Sequence, residues 1–225
     1  MGRPITKTLD AALDLAGLGY AVFPLVKNGK KPLIEGWQTG IASNDPEQIV
    51  AWDAEHPGCN WGIPTGWQNG IVVVDIDSSA GVGYWESKEF GSGAVVTTPR
   101  GGMHIYYSID NEDVKTAAGQ VHADIDIRGE GGYVVAPGCA TSSKVDPKYG
   151  DGEYAGSLIS VPPIPEDVFR FLPERQKIVR SIPNPSADKA KEATPGEIRQ
   201  IRTITEKLER LNTDWDKISW HDTVF

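Results

Sequence analysis

Asp75-Ile76-Asp77 closes the apolar run Ile71-Val72-Val73-Val74. Side chains alternate along a strand, so the two carboxylates point to one face. At that spacing they repel and raise each other's pKa unless a cation neutralises them. Hard oxygen ligands suit Mg²⁺ or Mn²⁺. Two such ions can activate an attacking oxygen and stabilise a leaving one in phosphoryl transfer. The same residues also read as a strand ending in a polar turn, with Asp-Ile-Asp-Ser-Ser capping the next helix.

A second group is Thr97-Thr-Pro-Arg-Gly-Gly-Met-His104. Gly101 and Gly102 free the backbone to approach a ligand, with amides able to face phosphate oxygens. Arg100 and His104 add donors that suit a triphosphate. A hairpin with a Gly-Gly turn and a surface histidine is the plainer reading. A third group is Asp124-Ile-Asp126-Ile-Arg128-Gly-Glu-Gly-Gly132. Asp124, Asp126 and Arg128 share a strand face. One of these acids can complete a three-carboxylate metal site, and Arg128 can meet a phosphate or counter the acids. A cross-strand salt-bridge ladder explains them equally well. The glycines are no dinucleotide fingerprint, because a strand rather than a helix follows.

Lys30 and Lys31 can bind phosphate, although a solvated basic turn is the simpler account. Trp37, Trp52, Trp61 and Trp67 read as core, with base stacking open to one or two. Cys59 and Cys139 form no metal-type spacing and no disulfide framework, and a reducing cytoplasm fits them. Cys59, Cys139, His122 and His221 are read as structural.

These groups need strands to present them. Thr8–Ala16 reads as a helix with Leu9, Leu13 and Ala16 on one face. Tyr20–Leu25 follows as a strand, and Lys27–Pro32 as a basic turn. Asp45-Pro46 starts a helix carrying Ile49, Val50 and Trp52. Asn60–Ile63 is a short strand. Ile71–Asp77 is a strand buried on both faces, because its β-branched run is continuous. A helix is expected over Val82–Lys88. Two hairpins are expected: Ala94–Thr98 with Met103–Tyr107, and Ala123–Arg128 with Gly132–Pro137. Pro165 opens a short helix through Phe171. Residues 173–195 hold four prolines and read as a linker. Thr194-Pro195-Gly196-Glu197 then starts a helix with Ile198, Ile201, Ile204, Leu208 and Leu211 in one stripe. The order of elements predicts α+β, with mixed or antiparallel sheets and flanking helices.

The 225 residues allow one good-sized domain plus an appendage, and 39% hydrophobic content supports a core. No run is long enough to span a bilayer, and no signal peptide is visible. A net charge of −9 argues against a simple nucleic-acid coat. The charge is uneven. Residues 170–210 hold 10 of the 22 basic residues and 6 of the 31 acidic ones, which suggests an acidic body with a basic arm.

In this order the motifs resemble the bifunctional DNA primase–polymerase (prim-pol) domain of the archaeo-eukaryotic primase superfamily, found in phage and plasmid replication proteins. The resemblance covers about residues 8–172. It rests on Gly19-Tyr-x-Val-Phe-Pro24, Lys30-Lys-Pro32 before Gly36-Trp37, and Asn60-x-Gly62 before Thr65-Gly66. Asp75-x-Asp77, Gly101-Gly-Met-His104 and Asp126-Ile-Arg-Gly-x-Gly-Gly-Tyr-Val-Val-Ala-Pro137 complete it.

The resemblance implies that Asp75, Asp77 and Asp126 hold the catalytic Mg²⁺ or Mn²⁺. It implies that His104 contacts the phosphates of the incoming nucleotide, with Arg128, Arg100, Gly101, Gly102 and Lys31 in support. Asp124 is the local rival of Asp126, and the glycine pattern favours Asp126. The implied reaction is template-directed nucleotidyl transfer. Its substrates are dNTP or NTP, a primer and a single-stranded DNA template, which the basic arm can track. The implied organisation is a catalytic domain over 1–172, a linker over 173–195 and a helical appendage over 196–225. A helicase domain is expected downstream in a longer phage or plasmid protein acting in the host cytoplasm. No Walker motif occurs in these residues. A two-metal nuclease, a glycosyltransferase using Asp-x-Asp, and a non-catalytic nucleic-acid or partner-binding module are the alternatives.

Overall fold

The computed structural model describes residues 6–109, 112–172 and 177–179, all within one unit, Met1–Arg180. Helix α1 (Lys7–Gly17) starts at Thr6, whose Oγ1 accepts from the Leu9 N–H at 3.2 Å. Its buried face is Leu9, Ala12, Leu15 and Ala16, while Leu13 is only partly buried. Strand β1 is Phe23–Leu25. A 3₁₀ turn, Trp37–Thr39, precedes helix α2 (Pro46–Glu55). The Asp45 carboxylate caps α2 by accepting from the Glu47 N–H at 3.0 Å, with Pro46 at the first helical position. Ile49 and Trp52 face the core, but Val50 is exposed. The chain turns about 100° per helical residue, which carries Val50 off the apolar face.

Strands β2 (Asn60–Pro64) and β3 (Ile71–Ile76) follow, then helix α3 (Ser79–Glu86). Helix α3 starts three residues before the expected Val82. The Ser78 hydroxyl accepts from the Gly81 N–H at 3.1 Å and so caps it earlier. Strands β4 (Ala94–Thr97) and β5 (Met103–Ser108) form the expected hairpin. Next come β6 (Glu112–Val114), β7 (Ala117–His122), β8 (Ile125–Arg128) and β9 (Tyr133–Val135). Short strands β10 (Ala140–Thr141), β11 (Gly152–Glu153) and β12 (Ala155–Gly156) precede helix α4 (Glu166–Phe171). Strand β13 (Lys177–Val179) lies inside the stretch read as a linker and pairs with β6. The expected helix from 197 onward lies outside the described residues.

A six-stranded sheet, ordered β12-β4-β5-β3-β8-β7, holds β3 near its centre. Every pairing given for these strands is antiparallel. Strand β3 divides its side chains between two cores by its period of two. Ile71 and Val73 join the first core, with α1, α2 and the three-stranded sheet β1-β2-β9. Val72, Val74 and Ile76 join the second, with Trp85 of α3 and Val168 of α4. That explains the continuous β-branched run, since both faces are covered. The fold is α+β with antiparallel sheets and few helices.

The second expected hairpin does not form. Strand β8 pairs with β3 and β7, whereas β9 pairs with β2 in the other sheet. Ile125 and Ile127 are buried in the second core, so β8 belongs beside β3. Gly129–Gly132 carries the chain between the sheets. A Cβ on Gly129 would collide with the Val114 carbonyl oxygen. The Thr65 hydroxyl donates to the Gly129 carbonyl at 2.6 Å and pins this crossing.

Candidate active site

Three antiparallel strands bring one row of residues together on the first-core face of the sheet. Asp75 on β3 is the direct partner of His104 on β5 and of Asp126 on β8. Directly opposed side chains on adjacent strands have Cβ atoms about 4.5–5.5 Å apart. His104 Nε2 lies 3.3 Å from Asp75 Oδ1. Arg128 donates from Nε to Asp75 Oδ2 at 3.1 Å and from Nη2 to Asp126 Oδ2 at 2.7 Å. The whole row is buried or half-buried, with His104 at 4% exposure.

Burial pushes the Asp75 carboxyl up, but the hydrogen bond and charge of His104, and then Arg128, overcome it. The result is a carboxyl held at about 2. Asp77 is the first residue after β3, and its N–H donates to the Asp124 carbonyl at 2.9 Å. Its carboxyl is shifted the other way. Partial desolvation raises it, the charges of Asp75 and Asp126 raise it further, and Lys30 and Arg128 oppose them. The two acids of the Asp-x-Asp pair are therefore electrostatically unlike. His104 Nδ1 and the Tyr106 hydroxyl are buried without a hydrogen-bond partner among the described residues.

A cleft of about 270 Å³ opens over this row, lined by Lys30, Trp37, Asp75, His104, Arg128 and Tyr133 among others. Trp37 stacks nearly parallel on Phe23 at 4.9 Å, and Tyr133 meets Trp37 edge-on at 4.7 Å. A family model described as "Bifunctional DNA primase/polymerase, N-terminal" (Prim-Pol) matches residues 12–166.

This chain belongs to the Prim-Pol family. A comparison with curated proteins found no match. The Prim-Pol match runs from within α1 to the start of α4 and contains the whole cleft. Prim-Pol proteins are primase–polymerases, so the substrates at family level are nucleotides and DNA.

Asp75, His104 and Arg128 line the Prim-Pol cleft; Asp126 is held beside it by Arg128, and Asp77 lines a smaller neighbouring recess together with Asp75 and His104. Arg100 sits exposed at the β4–β5 tip, where Nη1 donates to the Lys148 carbonyl at 3.5 Å. It borders a smaller recess shared with Asp77, Lys30 and Thr98. Gly101 and Gly102 each have a local role in the hairpin. The Gly101 N–H closes the turn onto the Thr98 carbonyl at 3.0 Å, with φ at 78°. Gly102 is buried where any Cβ would strike the Ile76 carbonyl oxygen, so its requirement is close packing on β3.

Lys31 is exposed and lines neither space; its neighbour Lys30 lines both. Sequence spacing does not separate two adjacent lysines. Four contacts fix the choice. The Asn60 side chain donates to the Gly29 carbonyl at 2.9 Å, and the Tyr133 hydroxyl donates to the Lys30 carbonyl at 2.8 Å. The Lys30 ammonium stands 5.3 Å from the Tyr149 ring centre and 5.9 Å from that of Tyr154. Tyr133 and Tyr154 carry no site signal in the sequence, apart from the position of Tyr133 just after Gly131-Gly132. Asp124 serves the fold. It accepts from the Ser78 hydroxyl at 2.8 Å beneath α3, and its N–H donates to His122 Nδ1 at 3.2 Å.

Proposed function

We propose that this Prim-Pol domain performs template-directed nucleotidyl transfer. A primer 3′-oxygen attacks the α-phosphate of an incoming dNTP or NTP, the phosphoanhydride bond breaks, and pyrophosphate leaves. The observation that carries the reading is the row His104–Asp75–Asp126 across three strands, with Asp77 at its end.

The donor set suits a hard divalent cation. Asp75, Asp77 and Asp126 offer oxygens only; the Asp77 carboxyl is raised first by desolvation and then by the charges of Asp75 and Asp126, and a cation would relieve that repulsion. Among the described residues no three such groups form a ready cage, and Arg128 holds an oxygen of both Asp75 and Asp126. Mg²⁺ or Mn²⁺ on these carboxylates supplies acidification of the attacking hydroxyl and neutralisation of triphosphate charge. Arg128 and Lys30 orient the phosphates from either side of the cleft. His104, held by Asp75, presents its ring to the same phosphates. Trp37 and Tyr133 bound the cleft. The chain is read as the N-terminal part of a phage or plasmid replication protein in the host cytoplasm, with a helicase domain downstream. No helix among the described residues is long and apolar enough to cross a membrane.

The test is extension of a labelled primer on a longer template with dNTPs or NTPs and Mg²⁺ or Mn²⁺. Extension lost in Asp75→Ala/Asp77→Ala supports the reading. Shortening of the primer without added nucleotide would replace it with a nuclease.

A further inference from the structure

Three surface loops meet beside the cleft: residues 26–31, 98–101 and 142–150. The Ser142 N–H donates to the Asn28 carbonyl at 3.0 Å, and Lys30 reaches the Tyr149 ring. Arg100 donates to the Lys148 carbonyl, which ties the hairpin tip to the third loop. The loops therefore form one continuous surface.

That surface is cationic. It carries Lys27, Lys30, Lys31, Arg100, Lys144 and Lys148 against one acid, Asp146, in a chain of net charge −9. Asp146 is engaged locally, accepting from the Lys148 N–H at 2.9 Å. Asp151, just beyond, is wrapped by the Ser142 and Ser143 hydroxyls and the Ser143 N–H. Among the described residues none of the six cations is held in an ion pair. All but Lys30 are exposed. Fixed positive charge of this density draws in a polyanion, while the acidic remainder of the protein repels it. Val145, 48% exposed, and the half-buried Tyr149 add apolar surface between the charges, of the kind that bases rest on.

The rim also has a direction. Lys30 and Arg100 belong both to it and to the recess that contains Asp75 and Asp77. Phosphates held on this rim thus adjoin the carboxylates through Lys30 and Arg100.

We propose that this three-loop rim is the docking surface for a single-stranded DNA backbone, delivering the strand to the Asp75–Asp77 edge. The location of the strand goes beyond the proposed reaction; only its role as template rests on that reading.

The test uses the full chain with Lys27→Gln, Lys144→Gln and Lys148→Gln combined, none of which lines the cleft. Binding of a labelled oligothymidylate is followed by anisotropy over a salt series. For single strands each lost phosphate contact lowers the slope of log K against log salt by about 0.7. The triple variant is expected to lose about 2 from that slope and roughly ten- to a hundredfold in affinity near 0.1 M salt. Its affinity for a free dNTP with Mn²⁺ is expected to be unchanged. Equal DNA affinity and slope in variant and wild type would overturn the proposal. Loss of dNTP affinity with DNA binding intact would reassign the rim to the triphosphate. A wild type that extends primers while the variant binds DNA normally would sink the rim alone; a wild type that binds no oligonucleotide would sink both readings. Circular dichroism of the variant checks that it folds.

Discussion

Arg128 closes a fork on Asp75: both its Nε and its Nη2 stand 3.1 Å from the same oxygen, Asp75 Oδ2. The other oxygen, Oδ1, faces His104. A carboxylate placed between a guanidinium and an imidazole that hydrogen-bonds to it is stabilised as the anion, even where burial opposes it. The site thus carries its own counter-charge on Arg128, shared with Asp126.

The pH dependence follows from the sign of that shift. The folded Asp75 carboxyl is lowered to about 2. A depressed folded pKa contributes stability above the unfolded value, and the contribution is lost as pH falls through the folded one. Urea denaturation without metal should show stability falling by roughly 2 kcal/mol between about pH 5 and pH 2 on account of this group. Asp75→Asn should be less stable at pH 7 and flatter across that window. An identical slope in both proteins would contradict the assignment.

Asp77 should behave oppositely. Its folded pKa is raised, first by desolvation and then by Asp75 and Asp126. Its ionised form is therefore a small liability that grows as pH rises through its titration. Asp77→Asn is expected to raise the metal-free stability at pH 7, by less than about 1 kcal/mol given its exposure, while abolishing extension. The gain should vanish at low pH, where the native carboxyl is protonated. A lower Tm at pH 7 would count against it.

The adjacent glycines make a sharp contrast. Gly101 has φ 78° and open space around it, so Gly101→Ala should cost about 1 kcal/mol. Gly102→Ala must displace β3 or the hairpin, because the new Cβ meets the Ile76 carbonyl. It should cost about 3 kcal/mol or more. Thermal melts of the two variants decide this, and equal losses would argue against the packing role.

Lys30 and Lys31 separate by readout. Lys30→Ala should weaken dNTP binding about tenfold or more, the usual scale for losing a charged hydrogen bond. Lys31→Ala should leave dNTP affinity within about twofold, since Lys31 faces away from the cleft. Calorimetric titration with a non-hydrolysable dNTP analogue checks both.

Asp124 and Asp126 also divide. Asp124→Ala removes the partner of the Ser78 hydroxyl beneath α3 and should lower stability by about 1 kcal/mol. Its extension rate at permissive temperature should stay near wild type. Asp126→Ala should lower kcat by about a thousandfold or more, as expected for a charge acting on the reacting phosphates. Comparable losses in the two variants would merge their roles.

Local chemistry made part of this protein legible in its sequence. The uninterrupted Ile71–Val74 run requires a strand covered on both faces, and β3 is that strand. The Asp45-Pro46 pair places the start of α2, because a cap and a preset φ act over two or three residues. Asp75 and Asp77 stand out because two carboxylates close an apolar strand, although a polar turn capping the next helix reads from the same residues. The ordered motifs suffice for the family.

Tertiary structure decided what distant segments do to one another. From its turn glycines, Ile125–Arg128 reads as half of a hairpin with the strand after Gly132. Its buried Ile125 and Ile127 instead seat it against β3, in another sheet. Only that pairing sets Asp126 beside Asp75 and lets Arg128 bridge them. Turn propensity is local and weak, whereas burying a strand's apolar face stabilises more and depends on residues far along the chain. The same reason governs Lys30 over Lys31. Adjacent in sequence, they are told apart by Asn60 and Tyr133, which hold the loop so that one ammonium faces the acids and the other faces water.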